Sequence, residues 1–485
     1  MASFSASVGR NTAIQFFGKI VSTIIGFITT AIMLRYLQPS GFGSYTAAIA
    51  YAGFFSVIAD LGLYLILIRD FNKPNADREK ILGNALGIRW ASAICILGGS
   101  AIVAFALPFY SPEVKRAIVV AALSFVAVAG TQLMTAVFQT HLVTWWISLG
   151  EILGRLMLLI GVWWVMSIHG GLLMMMAAVM LGSLINFIFV SVVANRYIRV
   201  RIRFDFPVWR QMIIDTLPIS ISIVLNLLYF KADTIFLSVF QKGDAAIGLY
   251  GAAYKVLEIL ITFPLMFVGL LLPSLGRTFA AQEKEKFVRL FQRGFEVLLI
   301  LVVPIMVGGS IIAREILVAI GKESYAPAAG VLQLLLIAVG ATFLNALSGH
   351  TVTIINKQRQ MIFGYLTVAV VGLATYLLLI PRFSYYGAAI GTIITEVLSA
   401  IIGYVMILRT VQFRLQAGII WKLLISGGLM AVSMFALLPI QPWLALGAGT
   451  LAYCLSILMT RAIPLSMVQE VFQRSQTVEA LPPTP

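Results

Sequence analysis

The chain has 485 residues, of which 60% are hydrophobic and only 11% charged, and its formal net charge is +15 at pH 7. Soluble domains carry about 25% charged residues, so this composition excludes an ordinary water-soluble fold and indicates a surface that faces lipid. The positive charge does not favour nucleic-acid binding, because Lys and Arg accumulate on the cytoplasmic loops of membrane proteins.

Hydrophobic segments follow one another along nearly the whole chain. A membrane-spanning helix needs about 20 apolar residues. The first such segment is full length and is not followed by a small-residue cleavage site, so we expect it to be retained as a helix. The sequence predicts an all-α integral membrane protein of about fourteen transmembrane helices, at residues 12–34, 45–68, 81–107, 116–140, 142–166, 171–195, 211–240, 246–273, 290–313, 328–355, 361–380, 385–408, 419–439 and 443–460.

The basic residues predict the orientation of these helices. If the N-terminus is cytoplasmic, the inner loops and helix ends hold 23 Lys and Arg, and the outer ones hold 7. Cytoplasmic loops carry the excess of Lys and Arg. The sequence therefore predicts that both termini are cytoplasmic, and an even number of spans agrees with this.

Two inner segments are both basic and aromatic. Residues 196–210 alternate Arg with apolar residues, and residues 274–293 place Phe279, Phe287 and Phe291 at helical spacing. Such patterns are typical of segments that lie at the membrane interface. Both are predicted to lie at the inner headgroup layer, where anchoring of the topology is a better explanation than a role in substrate binding.

A faint internal repeat suggests two related halves. Residues 43–48 read GSYTAA and residues 248–253 read GLYGAA, and each opens the second helix of a six-helix set. An even number of spans in each repeat gives parallel halves. The predicted organisation is an N-terminal six-helix lobe at 1–200, a C-terminal six-helix lobe at 201–410, two extra transmembrane helices at 411–462 and a cytoplasmic tail at 463–485.

Ionisable residues inside the predicted spans are the main functional candidates. A charge at the centre of a bilayer costs about 2.5–3.5 kcal/mol or more, so it usually faces a partner or a cavity. Glu151 and Arg155, and likewise Lys255 and Glu258, share a helix face, so each couple is equally well explained as a structural ion pair or as part of a site. Three further residues have no opposite charge within one helical turn and favour a water-filled pathway: Asp60, Arg89 and Glu396.

Other features of the spans have ordinary explanations. His350 has the chemistry of a proton relay, but a polar contact is the more common role for a single His near a helix end. Pro218, Pro264 and Pro304 predict kinks or breaks of the kind found in transporter helices, although Pro is also tolerated in membrane helices for packing.

The sequence lacks the common signals of an enzyme. It contains no His-Glu-x-x-His, no phosphate-binding glycine loop with Lys and no cysteine–histidine metal spacing. Cys95 and Cys454 lie within apolar segments, which does not suggest a disulfide framework. The loops are too short for a soluble catalytic domain, so no enzymatic activity, metal or cofactor is predicted.

Three segments carry a resemblance to a known family. Residues 35–45 (RYLQPSGFGSY), 60–70 (DLGLYLILIRD) and 386–391 (YGAAIG) resemble motifs of the O-antigen and exopolysaccharide flippases of the multidrug/oligosaccharidyl-lipid/polysaccharide superfamily. The resemblance extends over essentially the whole chain, but the motifs are loose and mostly structural. They indicate the superfamily better than they indicate a substrate.

The resemblance implies a fold and a task. Two six-helix lobes would enclose a cavity that opens alternately to either side of the bacterial inner membrane. The cargo would be an oligosaccharide repeat unit on undecaprenyl pyrophosphate, exported for O-antigen, capsule or exopolysaccharide. Membrane lipids, a polysaccharide polymerase and glycosyltransferases are the implied partners, and no nucleic acid or cofactor is required.

The intramembrane charges can then be assigned roles as hypotheses. Arg binds pyrophosphate with bidentate geometry, and buried acids suit ion coupling. The residues predicted to bind the pyrophosphate or glycan are Arg35, Arg89, Arg155, Lys231 and Lys255. The residues predicted to couple ions are Asp60, Glu151, Asp233, Glu258 and Glu396.

Three alternatives remain open. A multidrug cation antiporter of the same superfamily would need an acidic, aromatic-lined cavity, but the spans hold about as many cations as acids and the first holds no acid. An integral-membrane glycan polymerase or ligase usually has a large outer loop, which is absent here. A flippase for peptidoglycan precursors would use the same mechanism on a different glycan.

Overall fold

The computed structural model describes residues 2–60, 62–71, 73, 76–240 and 244–460, without the side chains of 2–13, 16, 65, 218, 219 and 221–231. All regular structure in these ranges is helical. The α-helices are α1 (Ala2–Asp60), α2 (Leu63–Phe71), α3 (Arg78–Ala93), α4 (Gly99–Ala106), α5 (Pro112–Thr140), α6 (Trp145–Ser167), α7 (Leu172–Ala194), α8 (Phe206–Phe240), α9 (Asp244–Ala280), α10 (Lys284–Ile311), α11 (Ala313–Gly321), α12 (Ala329–Ile354), α13 (Gln358–Val411), α14 (Gly418–Leu437) and α15 (Pro442–Met459).

The prediction of an all-helical membrane protein is confirmed. Within the described ranges, 11 helical segments are long and apolar enough to cross a membrane. Two of them cover two predicted spans each, because α1 is broken at Gln38 (φ 56°) and α13 at Ser384 (φ 53°). Helix α8 coincides with the predicted span at 211–240. The break at Gln38 follows from sequence, since the residue before a proline (here Pro39) is disfavoured in helical conformation.

The second predicted span, 45–68, is not one continuous helix. Helix α1 ends at Asp60 and α2 begins at Leu63. Between them Gly62 has φ 65°, a left-handed conformation that glycine adopts without steric cost. The chain therefore turns beside Asp60, where hydropathy alone suggested an uninterrupted apolar segment.

The segment at 274–293, predicted to lie at the inner headgroup layer, is largely helical and two of its aromatic residues are buried, while its depth in the membrane stays a prediction. Helix α9 continues to Ala280 and α10 already begins at Lys284. Phe287 and Phe291 are buried, with 1% and 0% of their surface exposed. Apolar residues at helical spacing face protein as readily as lipid, and here they pack inside the protein.

The chain forms two compact units that interleave along the sequence. The first comprises Met1–Lys255, Leu317–Ala328 and Tyr365–Thr395, and the second comprises Val256–Ile316, Ala329–Gly364 and Glu396–Pro485. The predicted lobes at 1–200 and 201–410 are contiguous in sequence and stay a prediction. The predicted tail at 463–485 lies outside the described residues.

Small residues set the packing of the first unit. A Cβ at Gly154 of α6 would lie 2.8 Å from the carbonyl oxygen of Gly182 of α7, and a Cβ at Gly182 would lie 2.7 Å from that of Gly154. Reciprocal glycines of this kind allow membrane helices to approach closely, which increases van der Waals contact.

The basic segment at 196–205 packs along the start of α3. The Arg203 amide donates to the Gly83 carbonyl at 3.0 Å, and the Asp205 amide donates to Asn84 Oδ1 at 2.8 Å. Lys80 Nζ lies 2.8 Å from Asp205 Oδ2, and this hydrogen bond lowers the pKa of the Asp205 carboxyl below its ordinary value. These contacts hold the segment, which is neither helix nor strand, against α3, while its arginines remain exposed.

The core of the second unit lies among α10, α14 and α15. Met430 and Met434 of α14 are buried, and a Cβ at Gly449 of α15 would lie 3.3 Å from Met430 Cγ. The Tyr453 hydroxyl of α15 donates to the Ile300 carbonyl of α10 at 2.8 Å. The two C-terminal helices thus pack onto α10 through methionine side chains and through the hydrogen bond of the Tyr453 hydroxyl.

Candidate functional site

Glu151 is paired with a lysine that was not among the predicted site residues. Lys19 Nζ of α1 lies 3.0 Å from Glu151 Oε2 of α6, and both side chains are partly exposed. The structure does not form the pair between Glu151 and Arg155 that their spacing on one helix suggested. The reason is tertiary, since α1 packs against α6 and brings Lys19 opposite the carboxylate.

Arg155 is left without a carboxylate in the middle of a membrane helix. It lies near the centre of α6, is exposed, and makes no ion pair or hydrogen bond with any described side chain. Its guanidinium lies over Gly26 of α1, where a Cβ would be 3.3 Å from Arg155 Cζ. A charged side chain within a membrane span usually faces water, a polar partner or an anionic ligand.

Asp60 and Arg89 form an ion pair within the first unit. Arg89 Nη1 contacts Asp60 Oδ1, and Arg89 Nη2 donates to Gln132 Oε1 at 2.7 Å. The Arg89 side chain is 2% exposed, whereas that of Asp60 is 22% exposed. Arg89 Nε has no hydrogen-bond partner among the described residues. In this conformation Arg89 cannot reach a substrate, and its predicted phosphate-binding role stays a prediction.

Asp233 is the centre of a fully buried polar cluster. The Tyr250 hydroxyl donates to Asp233 Oδ2 at 2.5 Å, and the Thr234 amide donates to Oδ1 at 2.6 Å. The Thr392 hydroxyl of α13 lies 3.4 Å from Oδ2. Three helices, α8, α9 and α13, therefore meet at one acid, and hydroxyl and amide donors offset its burial.

Glu396 lies in a second buried polar cluster, within the second unit. It is 2% exposed, and Asn345 Nδ2 of α12 donates to its Oε2 at 3.2 Å. The Ser399 hydroxyl donates to Asn345 Oδ1 at 3.2 Å. A buried acid inside a predicted span is a candidate for ion coupling.

The remaining predicted residues lie on other parts of the helices. Arg35 donates to the carbonyls of Ala319 and Ile320 at 2.5 and 3.1 Å, so it caps the C-terminus of α11. Lys255 and Glu258 are both half-buried on α9. The side chain of Lys231 lies outside the described residues.

His350 and Glu296, an acid within the predicted span at 290–313, have structural contacts. His350 Nδ1 contacts the Ala346 carbonyl of its own helix at 2.9 Å, which agrees with an ordinary polar contact. Gln292 links Glu296 to the Gln416 carbonyl, with distances of 2.7 and 2.8 Å from its Nε2. Glu296 is thus held near the entry to α14.

The two repeat segments pack directly against each other within the first unit. A Cβ at Gly43 would lie 3.0 Å from the Gly248 amide nitrogen, and a Cβ at Gly248 would lie 2.9 Å from that of Gly43. A Cβ at Gly251 would lie 2.7 Å from Thr46 Oγ1. The sequence match therefore marks a near-symmetric crossing of α1 and α9, at which the two backbones touch.

Sequence reasoning missed the neutral partners of the buried charges. Gln132, Tyr250 and Asn345 each bond a predicted acid or arginine. A polar side chain inside an apolar span was the available signal, but many such residues bond only their own helix, as Thr375 does. Lys19 was counted only as a basic residue for the orientation.

The comparisons with known proteins identify the family. The model of the polysaccharide biosynthesis protein family matches residues 8–279, and the chain belongs to this family. A probable flippase, AglR of Haloferax volcanii, is 22% identical over 97% of this chain and 99% of its own length.

Solved structures support the same fold. The lipid II flippase MurJ in an inward closed conformation has a TM-score of 0.75 at 12% identity, covering 93% of this chain and 99% of that one. A multidrug resistance MATE transporter of the MOP superfamily, in its inward-facing conformation, has a TM-score of 0.66 at 11% identity, covering 83% and 98%. The chain therefore shares its fold with solved transporters, and the prediction that it is not an enzyme is confirmed.

Proposed function

We propose that this protein is a flippase that carries a lipid-linked oligosaccharide across its membrane, with undecaprenyl pyrophosphate as the lipid carrier, for export of O-antigen, capsule or exopolysaccharide. The observation that carries the proposal is Arg155, an exposed arginine without an ion-pair partner among the described residues at the middle of α6. A guanidinium at this depth needs an anion or water beside it, and a pyrophosphate supplies the anion.

The physics of the cargo explains why a protein is required. Each sugar hydroxyl moved into hydrocarbon without a hydrogen-bond partner costs several kcal/mol. A polar path lined by residues such as Lys19, Glu151 and Arg155 offers partners, while the lipid tail stays in the bilayer. In an inside-negative cell, outward movement of negative charge is favourable by about 2.3 kcal/mol per charge per 100 mV.

Ion coupling is the second part of the proposal. Asp233 and Glu396 are buried acids that accept hydrogen bonds from Tyr250 and Asn345, respectively, and a buried carboxylate is suited to binding a proton or a small cation. Glu151 is engaged by Lys19 and Asp60 by Arg89, so ion binding at these two acids requires an ion pair to open. We propose Asp233 and Glu396 as ion-coupling residues because they are buried, and Asp60, Glu151 and Glu258 remain the other candidates.

Purified protein in proteoliposomes tests the proposal. The substrate is a fluorescent undecaprenyl-pyrophosphate oligosaccharide, and the readout is its access to an enzyme added on one side. Arg155→Gln should reduce the initial rate at least about tenfold, because a charge-assisted hydrogen bond is worth about 1.5–3 kcal/mol. Arg155→Lys should retain part of the rate, since it keeps the charge without the bidentate geometry.

A matched control is available on α10. Arg293 is another exposed arginine on a candidate span, and Arg293→Gln should leave the rate unchanged. If wild-type protein does not accelerate translocation but does drive uptake of an organic cation such as ethidium, the flippase proposal is replaced by the multidrug antiporter.

A further inference from the structure

The second unit contains a cavity that the proposed pyrophosphate path does not use. Its volume is about 680 Å³, and it lies where α9, α12 and α13 end and α10 begins. Cavities of about 300–1,000 Å³ suit small ligands. The ends of these helices belong to the side that the count of basic residues predicts to be cytoplasmic.

Three side-chain amides surround this cavity in the same structural setting. Gln282, Asn356 and Gln412 each follow the C-terminus of a helix, with φ of 57°, 56° and 55°. All three are exposed, and within the described part of the chain none of their side-chain amides forms a hydrogen bond. Each amide therefore offers one acceptor oxygen and two N–H donors to a ligand.

The remaining lining is mostly apolar, includes two aromatic side chains and carries little charge. Phe279 is half-buried and Phe287 is buried, with ring centroids 5.7 Å apart. Among the described residues of the lining, Lys284 is the only charged one and none has a carboxylate. The cavity thus combines an apolar wall with groups that both donate and accept hydrogen bonds.

The electrostatics of the cavity disfavour simple ions. The cavity lies at the C-termini of three helices, whose partial negative charge opposes an isolated phosphate. A metal cation would lack a carboxylate and would meet Lys284. Hydroxyl groups suit both the helix C-termini and the amide and ammonium groups, because a hydroxyl donates to a carbonyl and accepts from an N–H group. The C–H face of a sugar ring can lie against Phe279.

We propose that this cavity is a saccharide-binding site that holds part of the glycan on the inner side of the membrane. The proposal rests on the proposed function for the origin of the sugar, but its chemistry is that of any hydroxyl-rich ring. The sugar can therefore be free or attached to a lipid, and the test separates these sources.

Saturation-transfer NMR on the full chain in phosphatidylcholine nanodiscs provides the test. The probes are maltotriose, mannotriose and chitotriose at millimolar concentration, each alone and in competition with lipid-linked oligosaccharide. Wild-type protein should bind at least one probe, and lipid-linked oligosaccharide should displace it if the same cavity serves the cargo. Persistence of the probe signal would instead identify a site for free saccharide.

The variants remove the amides without disturbing the backbone. Gln282→Gly, Asn356→Gly and Gln412→Gly together should weaken binding at least tenfold, and glycine favours the left-handed conformation that these positions adopt. His169→Gly is the matched control, because His169 also has positive φ (53°) but lies outside the cavity. Thr410→Trp, which fills the cavity from α13, should abolish binding.

Two results would overturn the assignment. One is that no probe binds wild-type protein, and the other is that a probe binds with equal affinity to the triple glycine variant. Binding of anionic phosphatidylglycerol that the same variants abolish, without saccharide binding, would identify a lipid site instead. Loss of saccharide binding with normal translocation would refute only the role of the cavity in transport, whereas absent translocation by wild-type protein would refute the flippase proposal itself.

Discussion

The crossing of the two repeat segments can be tested by adding a single methyl group. A Cβ at Gly248 would lie far inside 3.0 Å of the Pro39 carbonyl oxygen and 2.9 Å from the Gly43 amide nitrogen. Both obstacles are backbone atoms, so no side chain can rotate away. For Gly248→Ala, α1 and α9 must move apart by roughly 1 Å, and we expect a loss of about 3 kcal/mol, the upper end of the usual cost of overpacking.

The free energy of unfolding can be measured by reversible unfolding in mixed micelles with increasing SDS. Gly269→Ala is the control on the same helix, because a Cβ at Gly269 would meet nothing within 4 Å. That variant should be unchanged or more stable by about 0.5–1 kcal/mol, since alanine is the better helix former. Gly248→Ala that is as stable as Gly269→Ala would refute the close crossing.

The double variant Gly43→Ala/Gly248→Ala sharpens the measurement. A Cβ at Gly43 would meet the Asp244 carbonyl and the Gly248 amide, so both methyl groups enter the same contact. One separation of the helices makes room for both, and the double variant should cost no more than about 1 kcal/mol beyond the worse single variant. Fully additive losses would show that the two glycines act at independent contacts.

Three further outcomes follow from individual contacts. Gly26→Val should displace the Arg155 guanidinium, because the added Cβ would lie 3.3 Å from Arg155 Cζ. The variant should slow translocation about as much as Arg155→Gln. An unchanged rate would show that Gly26 does not position Arg155 for transport. Asp60→Asn should destabilise the protein by about 3 kcal/mol in the same SDS assay, because Arg89 stays buried without its ion pair. The double variant Asp60→Asn/Arg89→Gln should recover part of this loss. A larger loss in the double variant would contradict the pairing. Lys80→Met should raise the pKa of Asp205 toward its ordinary value, which ¹³C NMR titration of labelled Asp can measure. The pKa of Asp205 is lower in the native protein than in the unfolded chain. Any stability that this pair contributes is therefore present above about pH 4 and is lost as the pH falls through the native pKa. An Asp205 pKa that does not change in Lys80→Met would exclude the hydrogen bond as its cause.

The spans could be predicted from sequence because each depends only on local hydropathy. A helix satisfies its own backbone groups, so about 20 apolar residues are sufficient to form a membrane span. The breaks within the spans were harder to predict from the sequence. Pro39 signals the break at Gln38, but Gly62 adopts its turn beside Asp60 only in the folded chain.

The candidate residues could be located for a related reason. Charges are rare inside apolar segments, so Arg155, Asp233 and Glu396 are conspicuous in the sequence. Their environments were not predictable in the same way. Asp233 accepts a hydrogen bond from the hydroxyl of Tyr250, which is 17 residues away on another helix. Such a contact depends on how each of the two helices is rotated about its own axis.

The sequence by itself determined that this is a polytopic helical membrane protein, where its spans lie and which charges they contain, because these properties follow from the cost of placing polar groups in lipid. Only the tertiary structure decided which charges neutralise one another. Glu151 pairs with Lys19 rather than with Arg155, because the packing of α1 on α6 brings Lys19 to the carboxylate and leaves the guanidinium over Gly26. Spacing along one helix defines only the possible partners, and the choice among them depends on distances between helices.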